Sequence, residues 1–289
     1  MTNIGTQEQC SAANAHDHAT IPVEPHPSES ETIGFLTVFT STRPSQLGKV
    51  YSVLDGQLRK EVAGHMVEGN YTVRTFTSAA SLAALLSTIG TNQAICPSLP
   101  RVDEPTGKIV TEARSKSADA LARTQKDFPF KAVPGVLTLD YDPPAEQPSL
   151  TRDELWAKLI FLVPAIAHIG VVWWCSGSSH IHGPAGEMQG LRGQRLYVLI
   201  QDISDIPRAG EVLRDLCWLH RLGSVKISGS GSLLNRSLWD EAMHQPARLD
   251  FIGGAICTPP LHQERGEPVL LGGNGWLDTR SHTWLVEGR

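Results

Sequence analysis

The chain has 289 residues, 40% of them apolar, and a formal charge of −5, which is length enough to bury one large core or two modest ones. Five acids, Glu8, Asp17, Glu24, Glu29 and Glu31, fall in the first 42 residues, which hold no Lys or Arg, so the other 25 acidic side chains meet 25 basic ones. That balance excludes a strongly basic wrap around nucleic acid and leaves room only for a local basic groove.

In chain order, residues 1–32 are rich in Ser, Thr, Ala, His and Pro without hydrophobic periodicity and read as a disordered tail. MTNIGTQEQC has neither a basic n-region nor an apolar h-region, so no signal peptide is expected. An N-terminal α/β module is predicted over 33–130: strand IGFLTVFTST, apolar VYSVLDG, alternating strand NYTVRTFTS and helix AASLAALLSTIG. Arg114, Lys116, Arg123 and Lys126 then either line a phosphate path or form a solvated helix face.

A second module spans 131–275. Its elements are strand 136–142, a helix opened by the Thr151/Glu154 capping box with Leu155, Leu159, Leu162, Val163 and Ile166 on one face, strand GVVWWC, strand RLYVLIQD, a helix stopped at Gly223, and strand SVKIS. This order, β-α-β-β-α-β, predicts an α+β, RNA-recognition-like fold with the 136–142 strand central, both helices on one sheet face and the other face open. Residues 276–289 read as a C-terminal tail. The longest apolar run, Leu159 to Trp174, is broken by Pro164, His168 and Gly170, so no membrane span is expected. Cys10, Cys96, Cys175, Cys217 and Cys257 are dispersed and odd in number, as suits reduced thiols and a cytoplasmic chain.

Three stretches carry candidate chemistry. In VLTLDYDPP, Asp140 and Asp142 share one strand face, and two like charges so close need a cation between them. A divalent metal supplies one; alternatively Asp142 is a turn residue and Asp140 is solvated. In CSGSSHIHGP, small residues let a polyanion approach the backbone, with hydroxyls and His180 as donors; His180 and His182 could instead join a metal site. In PARLDFIGG, Asp250 is a lone acid in an apolar stretch and needs a cation or donors, most economically as a third metal ligand. VKISGSGSLLNR adds Lys226, Ser228 and Arg236 around a Gly-Ser turn, a weaker phosphate signal.

LTLDYD, SSHIH and RLDF, in this order, resemble the three motifs of the archaeo-eukaryotic primase superfamily, in particular the primase and primase-polymerase modules of bacterial plasmids, phages and integrated elements. The similarity covers 34–275 and is strongest over 129–257. It implies two Mg²⁺ or Mn²⁺ ions held by Asp140, Asp142 and Asp250 as catalytic ligands, with Ser178 and His180, and less directly Lys226, Ser228 and Arg236, contacting an NTP or dNTP. A single-stranded DNA template and a replicative helicase are the implied partners, for priming the replication of a mobile element. Two departures from the family are expected: no zinc-binding cysteine cluster, and no accessory or helicase domain.

For the template, Arg74, Arg114, Lys116 and Arg192 offer charge, and Trp173, Trp174 or Trp239 either stack with bases or lie in the core. Competing readings are a nucleotidyl cyclase, a sugar-nucleotide transferase using D-x-D, or a non-catalytic replication initiator of the same fold.

Overall fold

Alternation of branched and aromatic residues produces most of the strands in this chain, whose computed structural model describes residues 31–115, 119–144 and 146–281. Residues 1–30 of the tail expected over 1–32, Lys116 and the chain from 282 onward lie outside the described residues. The first elements are β1 (Gly34–Arg43), β2 (Lys49–Leu54), β3 (Gln57–Val62), β4 (Glu68–Phe76), α1 (Ala79–Ser87), β5 (Gln93–Cys96), β6 (Thr106–Val110), α2 (Glu112–Ser115) and β7 (Leu121–Ala122). They are followed by β8 (Gly135–Tyr141), α3 (Arg152–Leu162), β9 (Gly170–Cys175), β10 (Ile181–Gly183), β11 (Gly186–Gln189), β12 (Gln194–Ile200) and α4 (Ile206–Leu219). β13 (Ser224–Ile227), β14 (Leu233–Arg236), β15 (Ile256–Cys257), β16 (His262–Gln263) and β17 (Val269–Gly272) complete the order. The protein is mixed α+β and mostly strand. Among the described residues no helix is long and apolar enough to cross a membrane, and Cys96, Cys175, Cys217 and Cys257 carry free thiols.

Two sheets organise the chain from Thr32 onward, which forms one compact unit. The first has the order β5-β1-β4-β6-β7 and the second the order β17-β9-β12-β8. β1 is buried on both sides: Leu36 and Val38 enter the main core, and Phe39 enters a smaller one with Tyr71 and Phe128. The main core also takes Leu137, Leu139, Leu155, Leu159 and Leu213, so the segments expected as two modules share one apolar interior. Beside these sheets β2 and β3 form a hairpin whose two-residue turn, Asp55-Gly56, has positive φ at both positions (52° and 74°), the requirement of a type I′ connection.

The second sheet pairs β8 with β12 and β12 with β9, all antiparallel. α3 opens with the expected capping box, Thr151 and Glu154 each satisfying the other's backbone N–H. α4 ends before the expected Gly223: Arg221 adopts φ 60° and Leu222 N–H bonds to Cys217 O at 2.7 Å, a Schellman closure with Arg at the left-handed position.

Three expectations are corrected. SVKIS is not the fourth strand of this sheet. As β13 it pairs with β14 in an exposed hairpin, because the Gly-Ser turn offers an adjacent partner at small loop-closure cost and Asp240 N–H already bonds Asp140 O at the β8 edge, 2.8 Å. The fourth strand is β17, beside β9, so the strand expected to be central, β8, stands at the edge of this sheet and β9 lies inside it. Second, the sheet face carrying Val136, Thr138 and Asp140 is not open. Leu199 and Gly170 lie on it, and a Cβ at Gly170 would stand 3.3 Å from Ala79 Cβ, so α1 covers this end of the face. Third, residues 276–281 are not a tail. Trp276 stacks on Phe76, and Leu277 exchanges backbone hydrogen bonds with Leu199 and Gln201 and is 4% exposed; their apolar side chains have a core to join.

Leu277→Ala should therefore lower stability by about 2–5 kcal/mol in urea unfolding; a change below about 0.5 kcal/mol, the size of a surface effect, would mean that the segment is not docked.

Candidate functional site

Asp140 sits at the last turn of alternation in β8, directly opposite Arg195 on β12. The Arg195 guanidinium reaches two carboxylates: its Nη1 bonds Asp140 Oδ1, and its Nε donates to Asp250 Oδ1 at 3.0 Å. Tyr197, two residues along the same strand face, donates its hydroxyl to Asp250 Oδ2 at 2.6 Å. Asp250 arrives from the other sheet: it bridges to Ile95 on β5 through paired backbone bonds of 3.0 and 2.9 Å. Strands far apart in the chain thus bring Asp140 (8% exposed) and Asp250 (1% exposed) to one guanidinium.

Burial pushes the Asp140 carboxyl up to about 6, with Arg195 opposing the shift and Asp250, Asp142 and Asp240 adding to it. Burial also works against the Arg195 charge, yet Asp250 and Asp140 hold it protonated above the usual guanidinium range. A second cation, Arg265, lies 3.7 Å over the Trp174 ring and donates to Ile252 O at 2.6 Å. Asp142 is exposed at the rim. Near it lies β2, with Lys49, whose ammonium is lowered by burial and favoured by Asp142, and Tyr51, whose buried hydroxyl is pushed up to about 12 by burial, with the Gln189 side chain opposing the shift.

The 176–180 loop follows β9 at this same end of the sheet. Ser178 is buried, its hydroxyl 2.7 Å from that of Ser176, and Gln189 donates to its carbonyl. Gly193 is required beneath the loop, since a Cβ there would lie 2.5 Å from Ser176 Oγ. His180 takes φ 56° and places Nδ1 2.8 Å from Glu187 Oε1. His182 stacks on His262, and among the described residues no three His, Cys, Asp or Glu side chains are arranged as metal ligands.

Lys226 and Ser228 are not brought to the carboxylates. They lie on the exposed β13–β14 hairpin, where Ser228 Oγ accepts from Ser232 N–H at 2.9 Å; Arg236 lies at its base. Arg192 is committed to the loop after Asp142, donating to Pro143, Pro144 and Gln147 carbonyls at 3.1, 2.9 and 2.8 Å, rather than to a template groove. Arg74 is exposed, Arg114 pairs with Glu68 at 3.7 Å, and Arg123 donates to Ala247 O at 3.1 Å. Trp173, Trp174 and Trp239 are buried. Sequence reasoning missed Arg195, Tyr197, Lys49 and Tyr51. The signal that found Asp250, a polar group in an apolar strand, applies equally to Arg195 and Tyr197 in RLYVLI.

Because no three His, Cys, Asp or Glu side chains come together as metal ligands among the described residues, a divalent cation here would have two carboxylates to hold it, Asp140 and Asp142. No hydrogen bond among the described residues reaches Asp140 Oδ2 or the Asp142 carboxylate, whereas both Asp250 oxygens are engaged by Arg195 and Tyr197. Three carboxylates against the Arg195 and Lys49 cations leave net negative charge for one divalent ion; a second fits only with a triphosphate's own charge. As a direct metal ligand Asp250 would need Arg195 to withdraw. Comparison with protein-family models, curated proteins and solved structures gives no match.

Removing Arg195 leaves two buried carboxylates uncompensated, so Arg195→Met should cost about 3–5 kcal/mol. Adding Asp250→Asn in that background should restore part of it; an Arg195→Met chain as stable as the parent in urea unfolding would contradict the pairing.

Proposed function

We propose that this chain is a nucleotidyltransferase of primase or primase-polymerase type, acting on nucleoside triphosphates over single-stranded DNA. The observation that supports it most is the meeting of Asp140, Asp142 and Asp250 at one end of the β8–β12–β9 sheet, beside the 176–180 loop. The β8-α3-β9-β12-α4 order and its central pairings agree with an RNA-recognition-like frame, in which these acids lie at the strand ends.

In this reading Asp140 and Asp142 hold the resident Mg²⁺ or Mn²⁺, whose chemistry is to lower the pKa of an attacking hydroxyl and to offset charge on the departing pyrophosphate. Arg195 fixes the Asp140 carboxylate through Oδ1 and leaves Oδ2 without a hydrogen bond among the described residues. Lys49, half-buried opposite Asp142, supplies a counter-charge where a triphosphate would approach. In the 176–180 loop the N–H groups of Ser176, Ser178, Ser179 and His180 are already bonded within the chain, so the loop's phosphate donor is His180, which, held by Glu187, can donate through its other ring nitrogen. A second reading, a non-catalytic replication module of the same fold, draws on one observation: Arg195 already neutralises part of the carboxylate charge.

Primer-synthesis assays on mixed single-stranded templates, with NTPs and dNTPs supplied separately and together, decide between the two. Oligomers should form with the parent chain and be lost in Asp140→Asn/Asp142→Asn, and His180→Ala should chiefly raise the triphosphate KM. Oligomers made at the parent rate by the double variant would sink the proposal. The Asp140 carboxyl titrates near 6, and its protonated form cannot ligate. At subsaturating Mg²⁺ the rate should therefore fall as pH drops below about 6, by about tenfold per unit; a flat profile between pH 7 and 5 would exclude Asp140 as ligand.

A further inference from the structure

Residues 262–266, HQERG, bond to two segments of the candidate site at once. Toward the 176–180 loop, Gln263 Nε2 donates to Ser179 O at 2.7 Å and Glu264 N–H to His180 O at 2.9 Å. Toward the segment that follows Asp250, Gln263 Oε1 accepts from Ala255 N–H at 2.7 Å and Arg265 Nη1 donates to Ile252 O at 2.6 Å. Arg265 also lies over the Trp174 ring, and Trp174 Nε1 donates to Gly266 O at 2.9 Å, so the same stretch is anchored on β9.

Gln263 joins the two segments through a single side chain. It stands directly opposite Ile181 in the β10–β16 pairing, and Ile181 is fully buried, so residue 263 shares an inward face on which an aliphatic side chain would be expected. Its amide nitrogen meets a carbonyl and its oxygen meets an N–H, which permits one orientation of the amide only. Side chains are excluded where the segments touch. A Cβ at Gly177 would stand 3.0 Å from Gly254 O, and one at Gly254, where φ is 95°, would stand 3.0 Å from Gln263 Oε1. The loop and the Asp250 segment thus meet backbone to backbone, and the Gln263 amide fixes how they meet.

The residue that this contact governs is His180. Its φ of 56° is a left-handed conformation that disfavours any residue with a Cβ, so it persists only while its surroundings hold it. Glu187 holds the ring, Glu264 N–H holds the carbonyl, and Gln263 holds the carbonyl of the residue before. On the other side of the Gln263 amide, the Ala255 segment leads back to Asp250, which shares Arg195 with Asp140. The span from the imidazole to the carboxylates therefore runs through Gln263. We propose that Gln263 is a positioning residue, which sets the aim of His180 at a triphosphate held beside Asp140 and Asp142. The choice of ligand rests on the nucleotidyl-transfer reading, but the test reads binding and needs no turnover.

ATP and dATP are titrated separately into the full chain with Mg²⁺ and no template, and affinity is read by calorimetry. Gln263→Ala removes both bonds; Gln263→Glu keeps the shape and the bond from Ala255 N–H but turns an oxygen on Ser179 O. Each should weaken binding of the tighter triphosphate by about tenfold, the worth of one hydrogen bond from a misaimed imidazole. Added to His180→Ala, either should weaken it no further than His180→Ala does alone, since the group being aimed is already gone. A merely structural amide would add its loss in any background. Mn²⁺ uptake by both Gln263 variants should match the parent's, which keeps this proposal apart from the metal assignment. A parent chain that shows the coupling but makes no oligomers supports the role of Gln263 and counts against nucleotidyl transfer. Parent-like affinity of both variants, losses that add in the double variants, Mn²⁺ uptake that falls together with triphosphate affinity, or a parent that binds neither triphosphate overturns the proposal.

Discussion

Two buried carboxylates from different sheets share a single guanidinium, and much of the site's architecture follows from that. Asp140 and Asp250 could not both be ionised at such proximity in a poorly hydrated interior without a cation between them. Arg195 provides it from the strand directly opposite Asp140, and Tyr197 takes the remaining Asp250 oxygen. The ion pair therefore also fixes how the β5 edge of the first sheet meets the face of the second. Its desolvation is costly, so its worth lies in specifying one arrangement of the two sheets; on the function proposed above, it also holds charge beside the metal and the triphosphate.

The same sheet face carries a gradient. At one end Gly170, Leu199 and Val136 are apolar and α1 packs closely on them; at the other end Asp140, Arg195 and Trp174 occupy the equivalent rows. Apolar burial dominates where β8 begins, and the buried charges collect where that strand ends, with the 176–180 loop and Lys49 around them. Each of these is placed by an element whose own reason for being there is apolar burial.

Much of this was legible in the sequence. Period-2 alternation marked β4 and β8, runs of branched and aromatic residues marked β1, β9 and β12, the Thr151 capping box marked α3, and the expense of an unpaired acid marked Asp250. What that acid pairs with was not legible, because Arg195 lies 55 residues earlier in the chain and an arginine at the start of a strand ordinarily reaches solvent. SVKIS was misplaced because its periodicity suits any sheet, and strand pattern alone does not tell a central partner from a local hairpin. Trp276 and Leu277 were passed over as a tail for want of a periodic run, although two large apolar side chains already argue for docking. Lys49 and Tyr51 reach the site through a hairpin whose Asp55-Gly56 turn was readable, but its position over Asp142 was not.

Paramagnetic resonance of Mn²⁺ titrated into the parent chain tests the central claim most directly, since it counts bound ions without requiring turnover. The account predicts one site on the chain alone, a second when a triphosphate is added, and neither in a variant carrying Asn at 140 and 142. Ion binding that survives in that variant, or a parent chain that takes up no Mn²⁺ even with triphosphate present, would contradict it.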